Sequence, residues 1–487
     1  MLEKLSHILF STRLLLPELV FAGIFLIIVT IVAFTKKNQQ SHNLYNTFTI
    51  SILITIGFVF YVFLNFLDQY FNSGVVLFNN LLYLDKLSIF FKLIITTSAI
   101  LVILHLWIIG YKVVGEFYVI FLALILGLFV MTMTTHLLML YIALEMVSIC
   151  SYILVAINKT KNNAEAGIKY LLTGATSSAV MLYGISLLYG MTGTLNFAGQ
   201  EFATFLGQNP SWVANVAAFM TIGGLLFKLS AAPFHSWTPD VYEATPTPIV
   251  AFLSIAPKVG VIVVMIRFLG GLSVDFRLLL AVIIIGSLFI GNLSALWQNN
   301  TKRMLGYSTI AHAGFMLVGL LALNQFGVQS AIFYVATYLF ITLAAFLLVD
   351  LLALKTESYE LSSLRGLGQE NIFLGLAAVT IMIALVGFPP TVGFTGKLLI
   401  FTALWESYQY SGNQLLLIVL IISLLNTAIS VFYYLRIPFF MIFKDPQGSA
   451  KRYHLDLLKR AFLLIFVCLL VYLFIKPDII MNMIETL

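Results

Sequence analysis

GGLLFKLSAAPFHSWTP, residues 223–239, decides the fold of this chain together with its echo GFPPTVGFTGK, residues 387–397. Each opens on glycine, is interrupted by proline, and carries a lysine, Lys228 or Lys397, in strongly apolar surroundings. A proline within a helix deletes one hydrogen bond and frees a carbonyl, which at bilayer depth only protein or water can satisfy. An ammonium there costs roughly 2.5 to 3.5 kcal/mol on insertion scales, so it marks a working site rather than an accident. Lys258 in SIAPKVGVIVV (254–264) and Glu145 in MLYIALEMVSICSYILVA (139–156) share this setting.

Outward from these segments the chain is apolar almost throughout. Of its 487 residues 61% are apolar and 9% charged, a balance that excludes an ordinary soluble domain. Apolar runs of about 20 residues have the length of spanning helices and exclude an outer-membrane barrel of short alternating strands. The expected fold class is an all-α polytopic membrane protein. We place about fourteen spans near 14–35, 47–67, 82–109, 116–133, 135–157, 167–190, 212–237, 246–270, 278–297, 303–323, 329–354, 372–406, 413–442 and 457–475, with spans seven and twelve broken by proline. The stretch MLEKLSHILFSTR reads on into span one rather than as a cleaved signal.

Loop charge sets the expected orientation, because lysine and arginine gather on the cytoplasmic side of short loops. Alternate loops hold sixteen of the 26 basic residues, among them Lys112, Lys159, Lys302, Arg303 and Arg436, which puts both termini outside. This asymmetry accounts for the net charge of +6 without a nucleic-acid partner. Cys150 and Cys468 both fall in spans and form no CxxC, and there is no GxGxxG or P-loop lysine. No metal or cofactor site is therefore expected in this chain.

Paired interrupted helices in corresponding halves are the mark of an inverted repeat. The expected organisation is an N-terminal three-helix segment (1–115), a first five-helix repeat (116–270), a second, inverted one (271–442) and a C-terminal helix (443–487). Five spans per unit turn the second repeat upside down.

Lys228 lies too deep for its stem to reach the interface, so its ammonium must meet water, a carboxylate or freed carbonyls. We expect Glu145 to be that carboxylate. Lys258 follows Pro257, whose ring frees the carbonyl of Leu253, and Lys397 follows the double break at Pro389 and Pro390. Of seven histidines, His312 in YSTIAHAGFMLVGL is the best-placed proton carrier. The expected relay runs from Lys228 through Lys258 and His312 to Lys397. Lys92 is read as a snorkelling anchor, Asp240 and Glu243 as an acidic loop, and the five tryptophans (Trp107, Trp212, Trp237, Trp297 and Trp405) as an interfacial belt.

These residues resemble a known family. The run KLSAAPFHSWTPDVYEATPTPIVAFLSIAPKVG is similar to the proline-broken seventh helix and its sequel in the subunit N family of the proton-pumping NADH-quinone oxidoreductase, respiratory complex I. LLPELVF, LEMVSICSYILVA, TKRMLGYSTIAHAGFMLVGL and GFPPTVGFTGKLLIF resemble it too, so the likeness covers nearly the whole chain. VYEATPTP and the lack of a long lateral helix set it apart from the larger antiporter-like subunits, although alanine stands in VYEATPTP where glycine is usual. The resemblance implies an antiporter-like membrane-arm subunit with Glu145 and Lys228 as acid and base of the first half-channel, Lys258 as linker and Lys397 facing the second. It implies that NADH, flavin, iron–sulfur clusters and quinone belong to other subunits, and that the partners are neighbouring membrane-arm subunits and lipid. The setting would be a bacterial plasma membrane, or alternatively an organellar inner membrane. The competing function is a subunit of a multisubunit cation/proton antiporter, and a purely structural membrane subunit is the third.

Overall fold

Thirteen helices among the described residues are long and apolar enough to cross a membrane, from Leu16–Phe34 to Leu457–Ile475. The computed structural model describes residues 2–34, 42–69, 74–208, 212–272, 276–446 and 455–487. Span twelve is the one missing from the thirteen. Its apolar run is cut into Ile372–Val386 and Val392–Ser411, as the double proline requires. The first piece is capped by Gly387, whose φ of +85° is a conformation that glycine adopts without a Cβ penalty.

Span seven breaks as well. Helix Trp212–Leu229 ends beside Lys228, and the chain resumes as the seven-residue helix Thr238–Ala244. Within the break the amide of Ala232 donates to Ser287 Oγ at 2.9 Å, so protein groups take up hydrogen bonds that the helix gives up. The apolar run of span eight is divided too, into Thr247–Leu253 and Ala256–Gly271. Pro257 sits in the first turn of the second piece, where its missing N–H costs nothing.

Two departures from the sequence reading lie outside the spans. The stretch before span three forms an antiparallel hairpin, Val75–Leu77 with Leu82–Leu84, pairing Val75 with Leu84. Phe78, Asn79 and Asn80 turn it at positive φ. The span therefore starts at Lys86, behind an Asp85 N-cap whose side chain accepts from the Ser88 amide at 2.8 Å. Thr238–Ala244, read as an acidic loop, is helical, and its Asp240 and Glu243 accept from Arg303 at 2.7 and 2.8 Å.

Compactness divides the chain into residues 1–228 with 256–275, and residues 229–255 with 276–487. In the first unit, helix Ala256–Gly271 packs on Lys86–Ile109 and Gly115–Met133, and Leu137–Val155 packs on Gly115–Met133 and Lys161–Thr192. In the second, Thr301–Leu321 and Gln325–Thr356 are almost wholly buried and pack on each other and on Val392–Ser411. Glu145, Lys258, His312 and Lys397 thus stand on helices held on several sides.

Candidate functional site

Lys228 is 2% exposed in the last turn of its helix. Its Nζ donates to Ser151 Oγ at 2.8 Å and to the Tyr170 hydroxyl at 3.2 Å. Ser151 in turn donates to the carbonyls of Val147 and Ser148, leaving its lone pairs for the ammonium. The rings of Tyr170, Tyr152 and Phe227 lie 5.0, 5.2 and 5.6 Å from Nζ, within the range of cation–π attraction. The direct ion pair expected with Glu145 does not form. Glu145 stands half-buried one helical turn or more before Ser151, with Oε1 buried and without a hydrogen-bond partner, and its charge acts on Lys228 across the space between them. Lys228 is therefore solvated by neutral hydroxyls and rings. Such a set stabilises an ammonium yet also accommodates a neutral amine.

Lys258 belongs to the same unit and is 1% exposed on Ala256–Gly271. Its neighbours along that helix, from Ala256 to Met265, are buried with it.

Lys397 and His312 come together in the second unit. Lys397 Nζ donates to the carbonyl of Val386 at 2.7 Å and lies 4.3 Å from the centre of the Phe315 ring. Val386 ends helix Ile372–Val386, so the ammonium meets one of the carbonyls orphaned by the break and the negative end of the helix dipole. Gly393 lets the two halves of the span close up: a Cβ there would stand 1.9 Å from the carbonyl oxygen of Ala384. Lys397 also shares with His312, Tyr334, Thr337 and Tyr338 a cavity of ≈ 10 Å³, about the space of one water.

On the far side of that cavity, His312 Nδ1 is hydrogen-bonded to Tyr334 Oη at 2.7 Å and Nε2 to Tyr434 Oη at 2.9 Å. Tyr434 continues to Ser308, and the Tyr338 ring lies tilted 4.7 Å from the imidazole and its hydroxyl bonds Thr309 at 3.2 Å. Each hydroxyl and each imidazole nitrogen in this chain can donate or accept, so a proton passed at one end is replaced at the other.

Some buried charges escaped the sequence reading. Lys302, counted among loop lysines, is 3% exposed: its Nζ donates to the carbonyl of Thr245 and stands 4.7 Å from the Tyr359 ring. Tyr359 donates to the buried Asp350 at 3.3 Å and bonds Thr247 at 3.1 Å. Lys92 is not a snorkelling anchor. It is fully buried and ion-paired with Glu18 of span one, with the Met133 sulfur and the Phe63 ring also against its ammonium. Trp237 is buried at 3% exposure and is not part of a belt, while Trp107, Trp212, Trp297 and Trp405 are exposed as a belt requires. An acid inside an apolar run was legible for Glu18 in LLPELVF and for Asp350 in FLLVDLLAL. The burial of Lys302 was not, since it stands one residue inside its helix.

The family model described as NADH:quinone oxidoreductase/Mrp antiporter, transmembrane, matches residues 134–426. The chain is 34% identical over 478 residues to NADH-quinone oxidoreductase subunit N 2 of Chloroherpeton thalassium, covering 94% of this chain and 90% of that one. Among solved structures it is similar to a chain of respiratory complex I from Thermus thermophilus, at 29% identity and a TM-score of 0.77 over 96% of this chain and 98% of that one. A chain of the Mrp complex from Dietzia sp. DQ12-45-1b shares the fold, at 17% identity and a TM-score of 0.82 over 96% of each chain.

Proposed function

As this chain belongs to the NADH:quinone oxidoreductase/Mrp antiporter transmembrane family, we propose that it is a proton-translocating, subunit-N-type component of the membrane arm of an NADH-quinone oxidoreductase. It is a multi-pass membrane protein and, in this reading, couples electron transfer from NADH to quinone in other subunits to proton movement across a bacterial plasma membrane, with both termini outside. NADH, flavin, iron–sulfur clusters and quinone are handled by those other subunits, and its partners are neighbouring antiporter-like subunits and lipid.

The observation that carries the reading is the state of the two lysines. Among the described residues no carboxylate stands in ion-pair contact with Lys228 or Lys397, and each rests on dipoles beside a break in its own span. A lysine locked in an ion pair holds its proton, whereas one held by hydroxyls or a carbonyl responds to charge brought near it. Lys228 with Glu145 and Lys258 serves the first unit, and Lys397 with His312 the second. Similar breaks in spans seven and twelve support the assignment of 116–270 and 271–442 as inverted repeats. The matched family model covers oxidoreductase and antiporter subunits alike; the antiporter structure shares the fold at 17% identity, while the oxidoreductase relative matches at 34% over nearly the full length.

Lys228→Met keeps the length of the side chain and removes its charge. In membrane vesicles it is expected to leave complex level intact and to abolish most NADH-driven proton uptake. Wild-type proton movement per electron in an assembled variant refutes the role.

A further inference from the structure

Span one and span three meet at a second acid and base. Lys92 and Glu18 are buried at 0% and 8% exposure and form an ion pair. The pair is thinly solvated. Glu18 Oε2 is buried and without a hydrogen-bond partner, and the further contacts of Lys92 Nζ are the Met133 sulfur at 3.0 Å, a weak acceptor, and the Phe63 ring at 5.2 Å. A buried ion pair is stabilising when additional hydrogen bonds satisfy its remaining lone pairs and protons, and this one lacks them on the carboxylate. The carboxylate thus keeps one oxygen open, and that oxygen is where the pair can take up a proton.

The pair also has a route to the surface. Asp85 stands seven residues before Lys92, two helical turns, and so lies on the same face of helix Lys86–Ile109. Asp85 accepts from Arg267 Nη2 at 2.7 Å, and both charges act on Lys92. Arg267 in turn lines a cavity of ≈ 510 Å³ with Asn80, Tyr83, Thr135 and Asn196. The loop-charge reading puts this end of span three on the side poor in lysine and arginine.

We propose that Glu18 and Lys92 form a third proton-exchanging site, opening through Asp85 and Arg267 to that cavity. This deepens the proton-translocation reading and rests on it. The resting pair is a carboxylate and an ammonium. Uptake of one proton forms the O–H bond on Glu18 Oε2 and leaves Lys92 protonated. Release breaks that bond, passes the proton toward the cavity and restores the pair, so that one proton enters and one leaves in each cycle.

A structural tie predicts a Glu18 that never protonates. The test uses the intact complex and the charge-neutral double variant Glu18→Gln with Lys92→Met, which leaves no buried charge orphaned. Expected is normal assembly and quinone reduction with a loss of protons moved per electron; an assembled double variant with the wild-type ratio overturns the proposal. A second measurement serves if the double variant does not assemble: the NADH-induced infrared difference spectrum of the wild type against Glu18→Asp, which keeps a carboxyl group. The proposal expects a protonated-carboxyl band that shifts in Glu18→Asp, and identical spectra overturn it. Neither readout involves Lys228 or Lys397, so failure here is distinct from failure of the lysine assignment.

Discussion

Lys397 donates to the carbonyl oxygen of Val386 at 2.7 Å, across the break in its own span. The interruption that leaves this carbonyl without an intrahelical donor also supplies the ammonium with its acceptor. The break and the charge solvate each other, which explains how a lysine with 3% exposure persists without a carboxylate in ion-pair contact.

Tyr334 sits between the two groups of this site, hydrogen-bonded to His312 Nδ1 and lining the cavity that Lys397 shares. Tyr334→Phe removes the hydroxyl and keeps the ring. The loss of a buried partner costs about 1 to 3 kcal/mol at the histidine. Proton uptake in vesicles is expected to fall several-fold while NADH oxidation in uncoupled membranes persists. Unchanged coupling would show that His312 works without this link.

Ser151→Ala with Tyr170→Phe strips Lys228 of both hydroxyl partners while keeping the rings near it. An ammonium so exposed to apolar surroundings loses two hydrogen bonds to a charged group, each about 1.5 to 3 kcal/mol. The double variant is expected to pump as poorly as Lys228→Met, with each single variant intermediate. Vesicle acidification compared across the four proteins checks the order.

Gly393→Ala tests the close approach in span twelve. The new methyl would stand 1.9 Å from the Ala384 carbonyl, with backbone and not a flexible side chain opposite it. Overpacking of this kind costs about 1 to 3 kcal/mol or more. The expected outcome is a lower melting temperature of the detergent-solubilised complex and less assembled subunit on native gels. Gly412→Ala is the contrast, since a Cβ there meets nothing within 4 Å and only its φ of +65° is unfavourable.

Asp240→Asn with Glu243→Gln breaks both contacts to Arg303, whose partners are each partly exposed. Pairs of this kind contribute roughly 0 to 1 kcal/mol each. Pumping is expected to remain near wild type, with a small fall in melting temperature. Loss of pumping with intact assembly would make these carboxylates a proton entrance, against the structural role given to them here.

Span positions, the two interruptions and the lysines inside them were legible because membrane insertion leaves a local record. Every spanning run must be about 20 residues long and apolar, and every proline or charge within it stands out against that background. Glu145, Lys228, Lys258, His312 and Lys397 were read this way, and all stand on the expected spans. What each side chain touches was not legible, because partners are supplied by residues far away in the chain and by the rotation of each helix about its axis. Lys228 took hydroxyls from Ser151 and Tyr170 instead of the carboxylate of Glu145, and Lys92 took Glu18 across 74 residues instead of reaching the interface. Lys302, assigned to a loop by its position in sequence, is buried because Thr245 and Tyr359 close over it. The sequence alone determined where the charges lie along each span; the tertiary structure decided which dipoles solvate them, since hydrogen bonding acts over about 3 Å and only packing brings distant groups that close.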